Sequence, residues 1–396
     1  MGARSPSIAV RAVWPCGRRR LARVQQDHHD RLDAASAPQD MVSIGDYERA
    51  APAALERLAH DYYRSGSGDE RTLAANRDAW ARWLVHYRVL VDVAKRDLTT
   101  TILGSRWTMP TMVAPAALQR MAHPDGELAT ARAAKAAGVP MGISSLATTS
   151  VEEICAVGGE CWLQLYVGQD RGFVREFVQR SVQAGCRAIA LTVDAPVWGT
   201  RERDVRNHFH VPEHLSVVNL VRPGGPTGHS GRGLGEALSW LIDPALCWKD
   251  LEWLRAQTDL PILLKGIVRP DDCVRAMRSG MQGVIVSNHG GRQLDGAPAT
   301  ADVLERCVHA TKAERADGVV LVDGGIRRGV DVLRALALGA DGTLIGRPML
   351  WGLAVHGEAG VRRVLEIMHA ETSQAMALAG CPDLGSITRD LLERAS

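Results

Sequence analysis

Eight short apolar runs alternate along this chain with helix-like stretches, and that rhythm restricts its possible folds more than any other feature. The runs cover residues 111–114, 141–144, 162–165, 188–193, 262–264, 284–286, 319–322 and 343–345. Helix-like spacing fills residues 127–137, 173–184, 271–279, 301–309 and 330–338 between them. Alternating strands and helices predict a parallel α/β sheet. Eight strands are the number that closes a (β/α)8 TIM barrel. No internal repeat of short period is evident, which argues against a solenoid.

A chain of 396 residues with 46% apolar side chains can bury a barrel-sized core. The net charge is only +2, so neither nucleic acid nor an anionic membrane is an expected partner. Eight scattered cysteines without a Cys-x-x-Cys pair favour reduced thiols in a cytoplasmic protein over disulfides or a metal site. No apolar run approaches the ~20 residues of a membrane helix.

The first 40 residues differ from the rest. Arg4, Arg11, Arg18, Arg19, Arg20 and Arg23 precede the first acid, Asp27. The segment reads as an extension, either an organelle transit peptide or, by preference, translated upstream sequence with the true start at Met41. The folded domain is expected over residues 41–396. It opens with a helical stretch from Ser43, a capping residue, to a stop at residues 61–68, followed by a second helical piece over residues 69–83. Tyr62 stands in that stop as core, rim or ligand contact. A long connection, residues 195–247, follows the fourth run and is rich in glycine over residues 223–235, which predicts a mobile lid.

Active sites of barrels lie at the carboxyl ends of the strands, and polar residues track those ends here. Ser145 follows the second run, Gln164 and Tyr166 close the third, and Thr192 and Asp194 close the fourth. Lys265 follows the fifth, Ser287 and His289 the sixth, Asp323 the seventh, and Gly346 with Arg347 the eighth. His289 is suited to exchange a proton near neutral pH, and Arg292 offers a fork for a carboxylate. Asp194 could orient the imidazole. Lys265 has three readings: a Schiff-base amine, a cation facing an electron-accepting ring, or a structural ion pair. Gly325, Arg327, Gly346 and Arg347 suit a phosphate on substrate or cofactor, the alternative being plain salt bridges.

The motifs at residues 287–293 (SNHGGRQ), 191–196 (LTVDAP), 164–166 (QLY), 264–266 (LKG), 323–329 (DGGIRRG) and 345–348 (IGRP) resemble the FMN-dependent α-hydroxy acid oxidase and dehydrogenase family. The likeness runs from about Asp46 to about Cys381 and includes residues 61–66 and 114–117. It implies oxidation of an (S)-2-hydroxy acid to a 2-oxo acid, with FMN reoxidised by O2 to give H2O2. By resemblance His289 is the base with Asp194 as partner, and Arg292 and Tyr62 hold the carboxylate. Arg201 assists from the lid, and Tyr166 touches the hydroxyl. The flavin is expected against Ala114, Pro115, Ala116, Ala117, Ser145, Gln164, Thr192, Lys265 and Ser287, with Asp323 also at the cofactor and its phosphate near Gly325, Arg327, Gly346 and Arg347. The family implies a homo-oligomer, usually a tetramer. No haem domain precedes the barrel, so a flavocytochrome arrangement is not expected.

Two departures bear on substrate. Leu146 stands where short-chain oxidases of the family carry an aromatic residue, and Trp198 where a smaller apolar residue is common. The smaller wall at Leu146 leaves room for a larger or aromatic side chain, whereas Trp198 narrows that space again, and the expectation is an aromatic or medium-length hydroxy acid. A dehydrogenase passing electrons to a quinone or carrier is the alternative within flavin chemistry. A flavin-free lyase using Lys265 as a Schiff base is the alternative outside it, and a barrel with dead chemistry the plainest.

Overall fold

The computed structural model describes residues 37–220 and 239–395. Eight parallel strands close a barrel: Thr111–Val113, Met141–Ile143, Cys161–Leu165, Ala188–Thr192, Ile262–Ile267, Gly283–Val286, Val319–Val322 and Gly342–Ile345. They are called the first to the eighth strand below. Closure occurs where the eighth strand pairs with the first in the register Thr343↔Thr111, and the two threonine hydroxyls meet at 2.8 Å. The strands are buried on both faces because helices cover the outside and side chains fill the inside, which is why they read as unbroken apolar runs.

The inside phase is set by the two-residue period of a strand. Met112, Trp162, Ala188, Ala190, Leu263, Ile285, Leu321 and Leu344 form the interior cluster. Stepping two residues onward from Met112, Trp162, Ala190, Leu263, Ile285, Leu321 and Leu344 lands on Ala114, Gln164, Thr192, Lys265, Ser287, Asp323 and Gly346. A single parity therefore packs the barrel and delivers chemical groups to its carboxyl rim. The amino end is plugged by a hairpin, Thr100–Ile102 with Ser105–Trp107, whose Trp107 meets Trp162 edge-on at 5.7 Å.

Ser43 caps the first helix, Ile44–Ala54, in a capping box with Asp46. The expected continuous helix up to residue 61 breaks at Leu55, whose extended backbone ends it, and a second helix, Arg57–Arg64, carries Tyr62 and Tyr63. The expected helix over residues 69–83 is observed as Arg71–Ala81. Trp83 instead opens a strand, Trp83–Val85, paired antiparallel with Leu392–Arg394 near the chain end, a partner that no local pattern reveals. The last helix, Arg347–Ala379, is kinked at His356 and Gly357 and packs on Gly126–Ala137 and Ile44–Ala54.

The flanks of the long connection are ordered by packing. Leu220, Leu241 and Ile242 join Leu146, Tyr166, Phe173 and Ala195 in a small apolar cluster, and a helix, Glu202–Arg206, follows Arg201. The mobility expected of this connection centres on residues 223–235, which lie outside the described residues, as does the arginine-rich extension up to residue 36. Met41 is fully buried and its carbonyl accepts from Arg363 Nε.

Candidate active site

A cavity opens at the carboxyl rim of the barrel, the end at which sites of this architecture lie. Tyr62, Ala114, Pro115, Ala116, Gln164, Tyr166, Thr192, Arg201, Lys265, His289, Arg292, Asp323, Gly325, Arg327, Gly346 and Arg347 all line it, so residues spread over nearly three hundred positions converge on one space.

Three expected residues lie behind the wall instead. Asp194 Oδ1 is 3.0 Å from His289 Nδ1. Ser287 Oγ accepts from Lys265 Nζ at 2.8 Å and from the backbone N–H of His289 at 3.1 Å. Ser145 donates from its hydroxyl to the Gln164 carbonyl and from its backbone to Gln164 Oε1. Ser144 lines the cavity in its place, and the two-residue parity explains it, because Met141 and Ile143 belong to the outer core. Counting parity from the second strand would have identified Ser144.

His289 emerges with φ +58°, in the left-handed region that a non-glycine residue rarely adopts. Gly290 and Gly291 continue that conformation at +63° and +77°, and a Cβ on Gly291 would lie 2.6 Å from the Leu73 backbone nitrogen. The tight loop swings the imidazole back over the barrel mouth. The Asp194 bond commits Nδ1, leaving Nε2 as the nitrogen that can exchange a proton.

Arg292 Nη1 donates to the carbonyls of Tyr62 and Ser65, and its guanidinium stands 4.9 Å from the centre of the Tyr62 ring. Burial and the charge of nearby Arg201 hold its pKa down at about 10. Two cations share this dry corner with Asp204, whose carboxyl is pushed up by burial although both arginines pull it down. Such a corner favours an added anion. The same balance holds for the whole cavity: Arg201, Lys265, Arg292, Arg327 and Arg347 line it against one carboxylate, Asp323.

Lys265 Nζ lies 2.8 Å from Asp323 Oδ2, and both side chains are buried. Arg347 donates to the carbonyls of Tyr63, Gly290 and Ser65, so much of its fork is already used in the protein. Arg327 donates from Nη1 to its neighbour's carbonyl, while its buried Nε has no hydrogen-bond partner. Burial lowers its pKa to about 10. Gly346, at the start of the last helix, presents that helix's amino end to the cavity beside Arg327.

Sequence reading missed the seam that positions the lid root. Asn207 donates to Asp61 Oδ2 at 2.7 Å, Arg203 Nε donates to Glu70 Oε1 at 3.1 Å, and Phe209 stacks on Tyr62 at 4.4 Å. These contacts set Arg201 relative to Tyr62. Polar residues on a surface helix carry no local mark of such a partner.

A parallel eight-stranded barrel with a histidine–aspartate pair, a buried lysine and a cluster of arginines at its carboxyl rim defines an α/β-barrel enzyme site. The chain belongs to the FMN-dependent dehydrogenase family, whose profile matches residues 51–394. It is 49% identical to glycolate oxidase 5 of Oryza sativa subsp. japonica over 354 residues, covering 89% of this chain and 95% of that protein. It is 47% identical to the L-lactate oxidase of Nostoc sp. (strain PCC 7120 / SAG 25.82 / UTEX 2576) over 371 residues, covering 91% and 100%. A crystal structure of mandelate oxidase with (S)-4-hydroxymandelic acid superposes with a TM-score of 0.84 at 45% identity, covering 89% of this chain and 98% of that one. No helix among the described residues is long and apolar enough to cross a membrane.

Proposed function

We propose that this protein oxidises an (S)-2-hydroxy acid to the 2-oxo acid. The observation that carries the reading is one cavity in which His289, backed by Asp194, shares walls with Arg292, Arg201 and Lys265. Bound FMN would supply the two-electron acceptor, with O2 taking the electrons onward to give hydrogen peroxide.

The residues present suit that cofactor. The cavity's excess of cations matches a phosphate at one end and a substrate carboxylate at the other. Arg327, whose Nε stands 3.9 Å from Glu48 Oε2 without a hydrogen bond, and the helix amino end at Gly346 are suited to the phosphate. Gly324 and Gly325, at φ +95° and +81°, bring bare backbone to the same side. Ala114, Pro115, Ala116 and Thr192 offer small side chains for the ring to lie against, and Gln164 a polar group. Lys265 is suited to face negative charge gathering on the ring. An ammonium held by a carboxylate 2.8 Å away is poorly suited to act as a neutral Schiff-base amine, which disfavours the lyase reading.

Arg292, Arg201 and Tyr62 grip the carboxylate and turn the α-carbon toward the barrel. Tyr166 donates to the hydroxyl or the oxygen it becomes. His289 accepts a proton from the hydroxyl or the α-carbon at Nε2, and Asp194 stabilises the imidazolium. Leu146 and Trp198 both line the cavity; the smaller wall at Leu146 favours an aromatic or medium-length hydroxy acid, and Trp198 limits how large its side chain can be.

Anaerobic mixing of the flavin-loaded protein with glycolate, lactate, mandelate and longer 2-hydroxy acids tests the reading. Bleaching of the flavin by one of them is expected, with peroxide formed in equal amount once air is admitted. Bleaching without peroxide would move the protein to the dehydrogenases, and no bleaching by any hydroxy acid would end the proposal.

Two substitutions probe the roles. Arg327→Met removes a charge-assisted hydrogen bond of about 1.5–3 kcal/mol, so FMN affinity is expected to fall by roughly 10–150-fold, read by fluorescence titration of the apoprotein. The Tyr166 phenol is pushed up by burial and then by the Asp194 charge, so it stays protonated through neutral and mildly alkaline pH. Tyr166→Phe should therefore lower kcat/KM by about 2–13-fold, the worth of one neutral hydrogen bond. The pH profile should keep its shape, and a lost alkaline limb would show that Tyr166 itself titrates.

A further inference from the structure

At the amino end of the barrel, away from the cavity, three thiols meet. Cys155 belongs to the short helix Val151–Ala156, Cys161 opens the third strand, and Cys186 lies in the turn that feeds the fourth. Cys155 Sγ is 3.7 Å from Cys186 Sγ. Cys155 is partly exposed, whereas Cys161 and Cys186 are only 2% and 3% exposed. The turn at Cys186 is held firmly, its own N–H on the Ser181 carbonyl and the Arg187 N–H on the Cys161 carbonyl.

We propose that Cys155 and Cys186 form a peroxide-responsive dithiol, with Cys155 as the attacking sulfur and Cys186 as the resolving one. The chemical asymmetry follows the exposure. Side-chain hydrogen bonding with Cys161 and then Cys186 holds the Cys155 thiol below the ordinary cysteine range. Hydrogen bonding to Cys155, together with burial, pushes the other two up. A partly exposed thiol 3.7 Å from a buried one has the features of a reactive cysteine with a resolving neighbour.

In the first step the Cys155 thiolate attacks hydrogen peroxide, the O–O bond breaks, and Cys155 becomes a sulfenic acid with release of hydroxide. In the second the Cys186 sulfur attacks the sulfenic sulfur and the S–O bond breaks. The sulfenic hydroxyl leaves with the Cys186 proton as water. Two thiols are oxidised by two electrons in all, and the hydroxide of the first step takes up the proton that Cys155 gave up on ionising, so one peroxide is reduced to two waters. The sulfurs must close from 3.7 Å to the ~2.05 Å of a disulfide, a movement that the last turn of a six-residue helix can supply. The cross-link would close the loop carrying the third strand, and with it Gln164 and Tyr166 of the cavity. The activity proposed above would supply the peroxide, but the chemistry needs none of that reading, because peroxide is added directly in the test.

The test treats the folded, flavin-loaded protein with one equivalent of hydrogen peroxide, blocks free thiols, and maps peptides without reduction. Exposed Cys247 serves as an internal reference. A Cys155–Cys186 peptide pair that reductant reverses is expected. Loss of the free Cys155 thiol should run on the order of tenfold faster than that of Cys247. In Cys186→Ser the sulfenic acid on Cys155 should persist and be trapped by a cyclic dione. Oxidation of Cys247 ahead of Cys155, a bridge from Cys155 to Cys161 in the unaltered protein, or over-oxidation of Cys155 without a bridge would each overturn the assignment.

Discussion

Replacing His289 by glutamine is expected to lower turnover by about 10²–10⁴-fold, the usual worth of a positioned general base, while FMN stays bound. Glutamine keeps a polar side chain of similar reach and can still meet Asp194, but it cannot take a proton. The imidazole is suited to the task because Asp194 holds Nδ1 at 3.0 Å and so fixes the ring. Its backbone already occupies the left-handed region, so glutamine inherits a comparable strain of ~1–3 kcal/mol and the fold should tolerate the exchange. The measurement is the rate of anaerobic flavin bleaching under saturating substrate. Bleaching at an unchanged rate would remove His289 from the role of base.

Lys265→Met should cost about 3–5 kcal/mol of stability in the apoprotein, the range found when one partner of a buried ion pair is removed. The substitution would leave Asp323 charged in a buried position, with Oδ2 deprived of its partner and Oδ1 already lacking one. Ser287 would also lose the ammonium that donates to it. Urea unfolding of the parent and variant measures the loss. The double variant Lys265→Met/Asp323→Asn should recover a large part of it, because the neutral amide no longer demands a cation. A single variant as stable as the parent would mean that the pair is not the buried contact described.

Much of the architecture was legible because barrel strands, covered on both faces, must be apolar throughout. All eight expected strands are present, with ends displaced by at most a few residues. The rim was legible for the same reason: where an apolar run stops, the chain has reached either solvent or a site. Reading failed where phase mattered more than composition. Ser144 and Ser145 are identical in kind, and only the inward parity of the second strand decides which of them reaches the cavity. It failed again where the partner is remote in sequence, as for Trp83 with Arg394, or Asn207 with Asp61.

The arginines illustrate the same limit. Arg292, Arg327 and Arg347 all read as anion ligands, and all three line the cavity. Yet Arg347 spends three donors on the carbonyls of Tyr63, Ser65 and Gly290, tying the second helix to the histidine loop. Lys265, read with three possible uses, was narrowed by a carboxylate 58 positions away.

By itself the sequence determined the order of the eight barrel strands, their parallel closure and most of the residues at the carboxyl rim, because burial imposes a local pattern that a linear chain displays. Only the tertiary structure decided which of those residues face inward, which are already paired with one another, and how the lid root meets the tyrosine helix. Those properties depend on distances between segments far apart in the chain, and no local spacing encodes them.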